Sequence, residues 1–272
     1  MTTITASQVK ELRERTGVGL MECKKALSEN SGDIEKAIQY LREKGLSKAA
    51  KKADRSTNEG KIFVATNSDN TVGLILEINC ETDFVANNDD FISFGETIAT
   101  HLLNTDSLES VEALEGTQIN GKNFTELSGE YVLKLGENIK VKQFTRISAK
   151  YIGSYTHMTG KMGAIVGFSG SIDPEIAKDI AMHTAAVNPQ YLKREDVSTQ
   201  DLENEKTILK TQAINEGKPA EVVEKIVSGK INKYYSEHCL LEQFFVKDDK
   251  KTIKSLLEKE ITITHFTRYE LG

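Results

Sequence analysis

Tryptophan is absent from this chain, and proline and cysteine occur only three times each in 272 residues. Cys23, Cys80 and Cys239 stand far apart with no CxxC pair, which argues for reduced thiols and against a disulfide framework. No run approaches 18 consecutive apolar residues, so no membrane-spanning helix is expected. The opening residues MTTITASQVKELRERTG lack the apolar stretch of a secretory signal. Together these absences lead to the expectation of a cytoplasmic protein. An excess of positive charge is missing too. The chain carries 35 Lys/Arg against 41 Asp/Glu, a net charge of −6. Nonspecific nucleic-acid binding needs clustered cations, so no direct nucleic-acid partner is expected.

Familiar chemical signatures are also missing. Gly17-Val18-Gly19-Leu20-Met21-Glu22 begins like a dinucleotide-binding glycine motif, but Glu22 stands where the third glycine belongs and no strand precedes it. Thr159-Gly160-Lys161 approaches the end of a phosphate-binding loop, yet Tyr155 replaces its first glycine and Met162 follows the lysine. The five histidines have no HxxxH spacing. Counted as a calcium loop from Asp83, the series Asp83, Asp89, Asp90 puts Asn88 and Phe94 where Gly and Glu are required. No serine sits in a GxSxG setting. Cys80 is flanked by Glu81 and Asp83, carboxylates that suppress the thiolate a nucleophile needs. No metal and no cofactor are therefore expected, and a thiol- or carboxylate-dependent hydrolase is the weaker rival.

What is present is mostly helix, then a mixed pattern. Hydrophobic residues make up 38% and charged residues 28%, as in a soluble globular protein. Ser7 is placed to cap a first helix, without a full capping box because Lys10 is its third neighbour. A second helix covers Leu20–Leu27. Asp33 caps a third, with Ile34, Ala37, Ile38 and Leu41 on one stripe, and Gly45 is expected to stop it. Residues 1–55 hold twelve Lys/Arg against eight Asp/Glu. That basic head is either a contact for an acidic partner or a solvated helical face.

From Gly60 the period changes. GKIFVAT and TVGLILEIN are β-branched runs joined by the turn Asn67-Ser68-Asp69-Asn70. An acidic loop and a helix with Phe91, Phe94, Ile98 and Leu102 on one side follow. The order returns downstream, where SYTHMTGKMGAIVGF reads as a second hairpin, followed by a loop and the helix PEIAKDIAMHTAA. Between them come a helix near Asn123–Gly129 and the strand IKVKQFTRI. Residues 199–217 and 219–237 read as two helices, broken at Gly217-Lys218-Pro219. Leu202, Leu209 and Ala213 then face Val223, Ile226, Val227 and Ile231. A helix KKTIKSLLEKE and a strand ITITHFTRYEL end the chain.

The fold expected is α+β. It comprises a three-helix ubiquitin-associated-like bundle, two related α+β subdomains, an inserted antiparallel helical hairpin and a C-terminal helix/strand element. Expected boundaries are 1–55, 56–150, 151–198, 199–237 and 238–272.

Thr82-Asp83-Phe84-Val85 sets a large aromatic beside a carboxylate, between an apolar strand and a helix. An arbitrary pair of this kind packs its ring on the core and caps a turn with its acid. Here the surrounding words matter. LRERTGVGLMECKKAL (12–27), CETDFVANNDDF (80–91), IAMHTAAVNPQYL (180–192), CLLEQFFVKD (239–248) and a closing FTRYEL together resemble the elongation factor Ts family, in that family's order. The head alone would not identify it, since such bundles occur widely; a binding module of another kind, using the head, is the alternative.

The resemblance implies a partner, elongation factor Tu in its GDP-bound and nucleotide-free forms, and a task, speeding GDP release without covalent catalysis. It implies that Thr82, Asp83, Phe84 and Val85 intrude into the GTPase and disturb its Mg²⁺. Leu20 and Met21 of the head, whose alternative is a place in the bundle core, and His157 and Met158 of the second hairpin would be further contacts, as would the C-terminal element 238–272. Whether the complex is 1:1 or 2:2 stays open. His183, inside an apolar helix, is read as a core residue.

Overall fold

A computed structural model describes residues 4–272. The fold is α+β, with small sheets and helices packed on them. Two compact units are formed. The first comprises the described residues up to Ala65, with Leu74–Arg146 and Glu270–Gly272. The second comprises Thr66–Gly73 and Ile147–Tyr269.

The first unit opens with helices α1 (Ala6–Thr16), α2 (Leu20–Glu29) and α3 (Ile34–Lys52). Thr5, not Ser7, caps α1. Gln8 N donates to Thr5 Oγ1 and Thr5 N donates to Gln8 Oε1, so the full capping box exists two residues upstream of the expected position. Asp33 caps α3 as expected. Leu12, Cys23, Ala26, Leu27, Ala37 and Leu41 form the bundle core, joined by Leu133. Part of the head's basic charge is paired within the head. Arg15 pairs with Glu35 at 2.7 Å, and Lys44 and Lys48 both pair with Glu22. The Lys44 ammonium, with Lys48 beside it, holds the Glu22 carboxyl below the usual carboxylate range.

Gly45 does not stop α3, which runs on through Lys52. Its lack of a side chain serves packing. Strands β1 (Glu59–Thr66) and β2 (Val72–Cys80) follow, then helices α4 (Asp83–Ala86), α5 (Asp89–Leu103) and α6 (Val111–Leu114). A two-stranded ribbon, β3 (Gln118–Ile119) with β4 (Lys122–Asn123), leads into α7 (Phe124–Leu135) and β5 (Lys140–Ser148). Helix α7 extends six residues beyond the segment expected and ends at Gly136, whose φ is +79°. Gly45 meets α7 at Gly129, where a Cβ on Gly45 would stand 2.7 Å from the Gly129 carbonyl oxygen. The sheet order is β1-β2-β5. Phe91, Phe94, Ile98 and Leu102 of α5 are buried on one face, as their spacing requires.

The second unit repeats the arrangement of a hairpin and a helix. Strands β6 (Tyr151–Thr156) and β7 (Met162–Phe168) pair antiparallel, Tyr151 opposite Phe168 and Thr156 opposite Gly163. Helix α8 (Pro174–Val187) lies on β6 so closely that a Cβ on Gly153 would meet the Ala177 carbonyl at 2.4 Å. Helices α9 (Thr199–Asn215) and α10 (Ala220–His238) form the helical hairpin. Leu209, Ala213, Val223, Val227 and Ile231 make their own small core.

The C-terminal helix expected over KKTIKSLLEKE is largely absent. Strand β8 (Phe244–Phe245) pairs antiparallel with β9 (Asp248–Thr252), and only α11 (Ile253–Leu256) is helical. Ile253 is buried and donates its N–H to the Gln243 carbonyl, which fixes the chain reversal and takes the lysines into a strand. Strand β10 (Ile263–Glu270) then completes the sheet order β10-β7-β6. Among the described residues, no helix is long and apolar enough to cross a membrane.

Candidate functional site

Cys80 ends β2 inside the core, and the chain must then turn to reach α5. The segment expected as an acidic loop makes one helical turn, α4, instead. Thr82 is its cap, extended at φ −129°, ψ 155°, with its Oγ1 accepting from Val85 N at 3.3 Å. Asp83 therefore occupies the first helical position and is not the cap.

The side chains of this turn divide by direction. Ala86 is buried and Val85 half-buried, which seats the turn on the unit. Asp83 is exposed. Phe84 is 85% exposed. A packed aromatic would seal its ring in the core, and this one does not. The exposed ring leaves a large apolar area free for a partner to bury.

What holds the turn lies far along the chain. Glu137, just beyond the end of α7, accepts through Oε2 from the backbone N–H groups of Glu81 and Thr82, both at 3.0 Å. Its Oε1 accepts the Thr82 hydroxyl at 2.6 Å. Glu81 returns the bond, since its Oε1 accepts from Asn138 N at 2.7 Å. The Asn138 side-chain amide, in turn, donates to the carbonyls of Arg55 at 3.1 Å and Ala53 at 3.4 Å. The Asn138 N–H, and with it the Arg55 guanidinium 3.3 Å away, hold the Glu81 carboxyl below the usual range. Sequence reading found none of Arg55, Glu137 or Asn138. The only local signal is a polar pair directly after the glycine that ends a helix.

Cys80 sits beneath the turn and donates its Sγ–H to the Thr82 carbonyl at 3.2 Å. Burial, followed by the nearby Glu137 charge, pushes its thiol up to about 12. A thiol so placed is not a nucleophile at neutral pH.

The remaining expected residues lie on two other elements. Leu20 and Met21 occupy the first turn of α2 and are 50% and 78% exposed, so neither belongs to the bundle core. His157 and Met158 sit on the turn between β6 and β7. Met158 is 93% exposed, while His157 is half-buried with Nδ1 3.0 Å from Thr159 Oγ1. His183 is fully buried and bonded, a core histidine. Phe244 of β8 and Val246 of the β8–β9 turn are large exposed apolar residues that the sequence reading did not name.

No group of three or more His, Cys, Asp or Glu among the described residues could hold a metal ion. The clefts among the described residues are of mixed polarity, such as the one bounded by Ser93, Thr97, His101 and Asn120. The chemistry on offer is a set of exposed apolar side chains on ordered turns, with one acid beside the largest of them. A family model described as elongation factor Ts matches residues 81–272, well over half of the chain and the whole of this turn. The chain belongs to the elongation factor Ts family.

Proposed function

We propose that this chain is a guanine-nucleotide exchange factor of translation elongation, acting in the cytoplasm on elongation factor Tu and making no covalent bond. Its family supports the exchange role. The observation that carries the mechanism is the 85% exposure of Phe84, next to exposed Asp83, on a turn tied down by hydrogen bonds. Phe84 inserts between helices of the GTPase domain, Asp83 disturbs the groups around the bound Mg²⁺, and Thr82 and Val85 complete the contact. Leu20 and Met21 give a second contact, and His157 with Met158 a third.

Magnesium bridges phosphate oxygens to the GTPase through a near-ideal octahedron, so a small displacement of its ligands loosens the nucleotide. The coupling is reciprocal: whatever factor this protein takes from GDP affinity, GDP takes from its own. Each tenfold needs about 1.4 kcal/mol of differential binding. Burying one phenylalanine supplies about 1.5–3 kcal/mol, one or two decades. A larger acceleration requires the other contacts to favour the open state too.

The test is release of a fluorescent GDP analogue from Tu at substoichiometric concentrations of this protein. Release should accelerate, and Asp83→Ala and Phe84→Ala should slow it. Full acceleration by Phe84→Ala would remove the ring from the mechanism.

A further inference from the structure

We infer that Glu137 is a positioning residue for exchange: its carboxylate holds the Glu81–Thr82 backbone so that Asp83 and Phe84 meet the GTPase on a preformed turn. The inference rests on the exchange reading above and adds to it a residue that never touches the partner's nucleotide.

Helix α4 has only four residues. A single turn does not persist alone, because nucleation fixes several dihedrals for very few hydrogen bonds. Its order must come from elsewhere. Glu137 supplies three acceptor bonds to two consecutive residues, two from backbone N–H groups and one from the Thr82 hydroxyl. The hydroxyl bond also sets a direction. Because Thr82 gives its proton to Glu137 Oε1, its oxygen keeps a lone pair for Val85 N–H, and the cap of α4 is oriented. The chain of donors runs from Val85 N–H to Thr82 Oγ1–H to the Glu137 carboxylate.

Glu81 and Asn138 fasten the other side. The carboxylate of residue 81 binds the N–H of residue 138, while the carboxylate of residue 137 binds the N–H groups of residues 81 and 82. Two loops are thus cross-linked by reciprocal charge-assisted bonds, the stronger class of hydrogen bond. The half-buried position of Glu137 shields them from bulk water. Loss of the clamp leaves Asp83 and Phe84 present but unaimed. If, in a complex held by the other contacts, the turn were competent a tenth of the time, release through it would slow about tenfold even at saturation.

The experiment uses the full chain with Glu137→Ala and Glu137→Gln. GDP release from Tu is followed at saturating and limiting factor, and amide hydrogen exchange is read at Glu81 and Thr82 in the free protein. Glu137→Ala should lower the saturated release rate about tenfold, leave the half-saturating concentration within about twofold, and lose protection at both amides. Glu137→Gln, which keeps an acceptor for the N–H groups but not for the hydroxyl proton, should fall between; if the alanine variant does not fold, it carries the test. In a background with both Asp83→Ala and Phe84→Ala, Glu137→Ala should cause no further slowing, because all three act through one contact. Equal slowing in both backgrounds would mark a general structural role and overturn the proposal. So would wild-type release by either Glu137 variant while Phe84→Ala is slow. If Phe84→Ala itself released GDP at the wild-type rate, the exchange mechanism would fall first, a distinguishable result.

Discussion

Gly45 of α3 and Gly129 of α7 touch backbone to backbone. A Cβ on Gly45 would lie 2.7 Å from the Gly129 carbonyl oxygen, and one on Gly129 would lie 3.1 Å from the Gly45 carbonyl carbon. The atoms in the way are main-chain atoms held by two helices, so neither can swing aside. Arg42, one turn before Gly45, reaches across to Glu126 at 2.7 Å and so bonds the same two helices.

Gly45→Ala is therefore expected to destabilise, against its local preference. Alanine in a helix interior is favoured over glycine by roughly 1 kcal/mol. Overpacking a close contact costs about 1–3 kcal/mol. The second effect wins at 2.7 Å, where no side chain can yield. The urea midpoint should fall with unchanged slope, and Gly45→Val should fall further. A raised midpoint would show that the crossing is looser than described.

Phe84 presents the opposite case. With 85% of the residue already exposed, truncation removes almost no buried area. Phe84→Ser should leave the melting temperature and urea midpoint nearly unchanged, within about 0.5 kcal/mol. The same change should slow GDP release from Tu by one or two decades, the worth of one buried ring at about 1.5–3 kcal/mol. A melting temperature that drops in step with activity would return the ring to the core.

The contrast between Gly45 and Phe84 shows what can be read along a chain. The stripe Phe91, Phe94, Ile98 and Leu102 is a local repeat, and those four side chains are buried together. The facing rows of the helical hairpin are local in the same sense. Gly45 looked like a stop because glycine's helix cost is local, while its reason lies on another helix. The lysine-rich stretch before Ile253 has helix-forming composition, but the pairing of Phe244 with Thr252 decides its conformation. At the candidate site the unusual Asp83-Phe84 pair is visible in the letters. Its support is not, because Glu137 is 55 positions from Thr82 and nothing near either residue announces the other.

The three cysteines offer a check on the rival hydrolase reading. All are buried; burial raises Cys23, lifts Cys239 to about 11 and, with Glu137, lifts Cys80 to about 12. None should react with a disulfide reagent at neutral pH in the folded protein, and all should react in denaturant. Cys80→Ser should retain GDP release within about twofold of wild type, since its thiol makes one weak bond, to the Thr82 carbonyl. Rapid labelling of native Cys80 would contradict the packing of β2 against the turn.

His183 should make stability depend on pH. It is fully buried; its Nδ1 accepts from Val246 N at 3.3 Å, so its proton resides on Nε2 and points to Gln243 Oε1 at 3.0 Å. The Gln243 amide donates onward to the Glu237 carbonyl at 2.7 Å, fixing the orientation of the acceptor. Adding a second proton would set an N–H against the Val246 N–H and bury a charge. Burial accordingly depresses the histidine's pKa, more than the Gln243 bond raises it. Above about pH 6.5 the ring is neutral in both folded and unfolded chains, and its contribution is complete. As pH falls below that, the unfolded chain takes the proton first. Stability then declines, by at most about 1.4 kcal/mol per pH unit, until the folded ring is protonated too. His101, also depressed by burial, adds to the same slope. Urea midpoints measured from pH 8 to pH 5 should drop more steeply for wild type than for His183→Gln. Parallel curves would mean that the buried ring titrates as freely as in the unfolded chain, and the Val246–His183–Gln243 chain of bonds would have to be abandoned.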